Sequence, residues 1–230
     1  MTTLYLIRHG ETAWNAEGRF QGHRNTPLNE VGIQQAHHVA RELAHYSLDA
    51  IFTSDLARAA QTAEIIAAHH AAPVIADRRL REAYFGEWEG LTLDEITTRW
   101  PDILAAWRQD SLHTRPPGGE TLEQVQLRVV ELLMELLSRY PDEHVAIVAH
   151  GGALRAIIAY ALVADLSIFR RLRLDNCSIT TITVRDGEFS LIQMNDICHL
   201  GLQIPRASWD EAGDQWRLAA QGEDNPSREK

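Results

Sequence analysis

Thr3-Leu4-Tyr5-Leu6-Ile7-Arg8-His9-Gly10-Glu11-Thr12 is the stretch on which the fold turns. Thr3 to Ile7 is a short run of β-formers that gives way to charged and small residues, the pattern of a buried strand feeding a loop. His9 then lies just past the strand's C-terminal end.

The same grammar recurs far along the chain. Val145-Ala146-Ile147-Val148-Ala149 is apolar throughout, as in a strand covered on both faces, and His150-Gly151-Gly152 leads into an apolar helix. Between the two units, Ile33, Ala36, Val39, Ala40 and Leu43 recur at three- and four-residue spacing and mark one helix face from Gly32 to Ala44. Ala50 to Thr53 reads as another strand, with Ser54-Asp55 offering an N-cap to a helix running from Leu56 to Ala68 and carrying Arg58 in its first turn. Thr92-x-x-Glu95 and Thr121-x-x-Gln124 fit the capping box, and the second helix runs to about Arg139 before Tyr140-Pro141. Arg115 to Gly119 is a loop. Asp186-Gly187 between Ser178–Val184 and Glu188–Met194 signals a hairpin. Strands alternating with helices predict a three-layer α/β/α sandwich with a mostly parallel central sheet and an antiparallel edge.

With 230 residues, the chain can bury one core as a single domain. The expected boundary is at 202, with 203–230 a polar, partly disordered extension; Trp209 and Trp216 there would anchor it to the core or to a neighbouring subunit. The longest apolar run, Ile157 to Ala164, is too short to span a membrane, and the basic-then-apolar start of a signal peptide is missing, so a cytoplasmic protein is expected. A net charge of −10 argues against a nucleic-acid partner. Cys177 and Cys198 form no disulfide or zinc pattern, and His37-His38, His69-His70 and His199 match no helical zinc motif, so neither a catalytic metal nor a cofactor is expected.

Ligands of open α/β sheets bind beyond the carboxyl ends of the strands, where Arg8-His9-Gly10 and His150-Gly151-Gly152 both fall. Glycine after each histidine lets backbone approach a ligand closely. Arg8 and Arg58 add guanidinium forks that match phosphate oxygens, charge that an otherwise acidic protein has little reason to gather in a cleft. By composition alone Glu82, Glu87 or Glu89 could serve as an acid beside them.

Arg8-His9-Gly10-Glu11-Thr12 with Asn15, Ser54-Asp55-Leu56-x-Arg58-Ala59, Leu80-Arg81-Glu82-x-x-x-Gly86 and Ala149-His150-Gly151-Gly152 together resemble the histidine phosphatase superfamily, the phosphoglycerate mutase-like proteins of its branch 1. The likeness runs from about Thr2 to Leu200, with four motifs in the family's order. It implies that His9 attacks phosphorus, that Arg8, Arg58 and His150 bind phosphate oxygens, and that Glu82 donates a proton to the leaving oxygen. Asn15 would contact the phosphoryl group, Gln21 and Gly22 the substrate from the loop after the nucleophile, and Gly151 the substrate beside His150.

The chemistry is sensible on its own terms: neutral imidazole is a competent nucleophile at neutral pH, and an alkoxide leaving group needs a proton. Arg155 could reach a substrate carboxylate or simply be solvated. The implied activity is metal-independent hydrolysis of small phosphate monoesters such as phosphoserine, α-ribazole phosphate, phosphoglycerate or sugar phosphates. A cofactor-dependent phosphoglycerate mutase is the alternative, disfavoured because such mutases generally carry a longer segment between the acid and the second histidine. The expected partner is a small phosphorylated metabolite, and a sheet edge or the tail could support a homodimer.

Overall fold

In the parallel pairing of β1 (Thr2–Arg8) with the strand His144–Ala149, Arg8 stands opposite Ala149, so the next residues, His9 and His150, emerge side by side. The computed structural model describes residues 1–201, together with the backbone of 208–209 and 216–217. After β1 come α1 (Ala13–Ala16), α2 (Glu30–Leu43), β2 (Ala50–Thr53), α3 (Ala57–Ala67) and β3 (Val74–Ala76). Next are α4 (Leu93–Arg99), α5 (Pro101–Gln109), α6 (Leu122–Arg139) and β4, the strand His144–Ala149. The remainder is α7 (Gly151–Ala161), β5 (Ile179–Arg185) and β6 (Glu188–Asp196).

The sheet order is β3-β2-β4-β1-β5-β6. The first four strands are parallel, and β5 and β6 add an antiparallel edge. Alternation along the strands builds two cores. Leu4, Leu6, Val145 and Ile147 pack with Val129 and Leu132 of α6 and Ile157 of α7; Tyr5, Ile7, Ala146 and Val148 pack on the other face with Val39 and Leu43 of α2 and Ile66 of α3. In the first crossover α2 therefore covers one face, and after β4 α7 covers the other, which opens a crevice at the ends of these central strands. Truncating Leu6 or Ile147 to alanine in such a core costs about 2–5 kcal/mol.

Both capping boxes form, Thr92 with Glu95 and Thr121 with Gln124, and α6 ends at Arg139 as expected. Asp186 and Gly187 take positive φ, the backbone the hairpin needs. Three local expectations are corrected. Ile33 is exposed, because the buried stripe of α2 starts from Gly32. The helix after β2 starts at Ala57 with Leu56 as cap; Asp55 is instead drawn to Arg81, and Asn25 accepts from the Ala57 N–H. The helical region after Thr92 is broken by Pro101 into α4 and α5.

The expected extension at 203–230 lies largely outside the described residues. Its described backbone is one antiparallel pair, Ser208–Trp209 with Trp216–Arg217. Among the described residues, no helix is long and apolar enough to cross a membrane.

Candidate active site

His9 is 3% exposed and held by its own backbone, whose N–H donates to the Ala149 carbonyl while the Asn176 side chain donates to the His9 carbonyl. The ring Nδ1–H donates to the Gly10 carbonyl at 2.7 Å, which leaves the lone pair on Nε2. Arg58 Nε–H donates to that lone pair from 3.3 Å. Burial first, then the charges of Arg58 and Arg8, hold the imidazole well below its ordinary pKa of 6.5, so His9 is neutral.

The His150 ring stands 5.1 Å from that of His9, centroid to centroid. It is fully buried, yet neither of its nitrogens has a partner. Burial and the nearby Arg58 keep it neutral as well. Two unsatisfied polar atoms buried at one ring are costly unless a ligand uses them.

Arg58 is 0% exposed, with its Nη atoms donating to the carbonyls of Arg24 and Gly22. Those carbonyls offset its unfavourable place in the first turn of α3. Burial lowers its pKa to about 10, which still leaves it charged at neutral pH. Arg8 anchors on the Leu174 carbonyl, while its buried Nε is unpartnered.

Glu82 reaches the same cleft from the loop after β3. One carboxylate oxygen accepts the Ala83 N–H and the other accepts the Gly152 N–H in the first turn of α7. A Cβ on Gly152 would lie 2.1 Å from Glu82 Oε1, so only glycine admits this carboxylate. The rival acids are placed elsewhere: Glu87 is exposed, and Glu89 accepts the His23 N–H and pairs with Arg24.

Asn15 Oδ1 accepts from the Thr12 backbone in the α1 capping box, which leaves its amide nitrogen as the donor end. Gln21 is buried, its carbonyl oxygen accepting from the Thr26 and Thr12 hydroxyls. Gly22, at φ +51°, lends its carbonyl to Arg58 and abuts Glu89. Gly151 lies open toward Arg8, Arg155 and Glu82, whose nearest atoms would be 3.7–3.9 Å from a Cβ placed there. Gly10 differs from expectation: it serves helix packing, since a Cβ would lie 2.4 Å from the Gly32 carbonyl oxygen of α2.

Arg155 belongs to this cluster. Its Nε donates to the Leu172 carbonyl and its guanidinium lies 5.3 Å from the Phe169 ring centre, while burial lowers its pKa to about 10. His199 does not belong to it; it meets the carbonyl of Cys177, a residue whose own N–H donates to the Arg8 carbonyl. Sequence reasoning passed over His23, whose Nε2–H donates to the Glu82 carbonyl and whose ring lies 5.0 Å from that of Tyr84. Its position directly after Gln21-Gly22 was the available signal. Phe20, Phe85, Trp88 and Trp107 form a separate apolar cluster beyond Glu82. Among the described residues no group of His, Cys, Asp or Glu side chains is arranged to hold a metal ion.

The pattern of the histidine phosphatase superfamily, branch 1, matches residues 4–197. Phosphoserine phosphatase 1 of Hydrogenobacter thermophilus is 34% identical over 87% of this chain and 95% of that protein. A probable phosphoglycerate mutase GpmB of Enterobacter sp. (strain 638) is 36% identical over 87% and 95%. The solved structure of Bacillus stearothermophilus YhfR superposes with a TM-score of 0.83 at 37% identity, covering 87% of this chain and all of that one.

Proposed function

This chain belongs to the histidine phosphatase superfamily, branch 1, and on that premise we propose that it hydrolyses small phosphate monoesters through a phosphohistidine on His9. The observation that carries the reading is the pair of buried, neutral imidazoles 5.1 Å apart, one with an Nε2 lone pair held only by Arg58 Nε–H and the other with both nitrogens unpartnered, flanked by Arg8 and Arg58. The oxygens of a phosphoryl group placed there accept from the one N–H of neutral His150 and from the Arg8 Nε–H, and draw the Arg58 Nε–H from His9 Nε2.

In the first step the Nε2 lone pair forms the N–P bond as the ester P–O bond breaks, and a proton from Glu82 goes to the departing oxygen. The phosphohistidine then meets water: Glu82 removes a proton, oxygen bonds to phosphorus, the P–N bond breaks, and neutral His9 returns. Arg8 and Arg58 supply the fixed positive charge for both steps, without a metal. Asn15, Gln21, Gly22 and Gly151 shape the rim on which a small phosphorylated metabolite rests.

Arg155 supports leaving groups that carry an acidic group, because its Nη1 lies beside Gly151 on the Glu82 side of the cleft. Phosphoserine and phosphoglycerate meet that description. The name of the GpmB relative favours a second reading, a mutase that returns the phosphoryl group to bound substrate.

Phosphate release from phosphoserine, 3-phosphoglycerate, α-ribazole phosphate and sugar phosphates, run beside a mutase assay primed with 2,3-bisphosphoglycerate, separates the two. Release without primer is the expected result. Isomerisation that depends on primer, without release, would reverse the reading.

A further inference from the structure

Arg128, on α6, hydrogen-bonds neither histidine, yet three of its five N–H donors are spent on the segment that carries Glu82 and the other two on Glu120, which itself holds that segment. Nη1 donates to the carbonyls of Arg79 and Arg81, both at 2.7 Å. Nη2 donates to the Glu82 carbonyl at 2.9 Å and to Glu120 Oε2 at 3.0 Å, and Nε donates to Glu120 Oε1 at 3.1 Å. Glu120 Oε2 in turn accepts the Tyr84 N–H at 2.9 Å. Four backbone groups, at residues 79, 81, 82 and 84, are thus tied to one ion pair.

Arg81 adds a fifth tie through its paired 2.6 Å bonds to Asp55, beside the helix that bears Arg58. Only the Glu82 side chain is left to vary, and it has a narrow seat between its own following N–H and that of Gly152.

We infer that Arg128, seated on Glu120, is the positioning residue for the general acid: it fixes the Glu82 backbone so that the carboxyl meets the ester oxygen as phosphorus moves to His9. The inference rests on Glu82 being the proton donor proposed above. General acids contribute about 10²–10⁴-fold, and a misplacement of the order of an ångström forfeits much of that. A lysine at 128 keeps the charge but cannot bridge three carbonyls and a carboxylate with one fork.

A donor out of position penalises esters in proportion to how badly their leaving group needs a proton. The test is kcat/KM, which reports phosphoryl transfer to His9, for glycerol 3-phosphate and for p-nitrophenyl phosphate, whose nitrophenolate departs without help. Arg128→Met is expected to lose about 10–100-fold on the alkyl ester and less than about threefold on the aryl ester, with Arg128→Lys between it and the parent protein. Glu82→Gln sets the ceiling, with a larger loss of the same selectivity.

Equal losses on both esters in Arg128→Met, or none, would show a merely structural role and overturn the inference while the acid assignment stands. A Glu82→Gln variant that does not discriminate between the esters would overturn the assignment itself and the inference with it. Should Arg128→Met fail to fold, as judged by thermal melting, Glu120→Gln loosens the same ion pair while keeping its shape. It must then show the selective loss, and equal losses there count against the inference in the same way.

Discussion

Arg58 Nε lies 3.3 Å from His9 Nε2, a fixed cation donating to the very lone pair that would attack phosphorus. The contact favours the unprotonated imidazole and orients it, and it must open when a phosphoryl group enters. Burial is the larger cause of the lowered His9 pKa and the Arg58 charge the next. Protonation would remove the lone pair, so the acidic limb of kcat/KM should lie well below pH 6.5. A limb centred at or above that value in the parent protein would contradict the assignment.

Arg58→Met removes both the charge and the donor. The expected loss in kcat/KM is about 10²–10³-fold, the cost of deleting one preorganised donor at a site of developing charge. The His9 pKa should rise in the same variant, moving the acidic limb to higher pH.

His9 and His150 also carry a stability signature. Both are held neutral in the folded protein, while the unfolded chain titrates near 6.5. Below that pH the unfolded state takes up protons that the folded state refuses, so stability is complete above pH 6.5 and falls as the pH drops through it. Thermal melting between about pH 7.5 and 5 should show this decline, and His150→Gln should flatten it. An unchanged slope in the variant would place the titrating group elsewhere.

Gly152→Ala sets a Cβ 2.1 Å from Glu82 Oε1. The carboxylate is the end of a flexible side chain, so it should move aside and the fold should survive. Hydrolysis of alkyl phosphates should drop about 10–100-fold with little change in melting temperature. Retained activity would mean that the seat of Glu82 does not matter.

Arg155→Met keeps the stem of the side chain and removes its terminal nitrogens. The KM for phosphoserine should rise about tenfold, in line with the loss of one charge-assisted hydrogen bond, while that for glycerol 3-phosphate stays within about twofold. Parallel changes for both esters would make Arg155 a packing residue.

What could be read from sequence followed its periodicity. The apolar runs before His9 and His150 specify central strands, and their similar length brings the two histidines into register. Thr92 and Thr121 declared their helices through the residue three places on. Contacts made across the fold gave no local sign. Gly10 looks like a ligand-facing glycine until Gly32 is seen against it, and Asp55 looks like a cap until Arg81 claims it. β3 is only Val74–Ala76, too short for a pattern. Arg128 left a faint trace, an arginine between Val125 and Val129 on the buried side of an amphipathic helix, but its partners at 79, 81 and 82 could not be guessed from that position.

Hydrolysis by the proposed route requires that His9 become phosphorylated. Incubation with a phosphoryl-labelled ester, a rapid quench into alkali and peptide mapping should place an acid-labile, alkali-stable phosphate on His9, with neither label nor turnover in His9→Ala. Full turnover by His9→Ala, or label on another residue in the parent protein, would contradict the account.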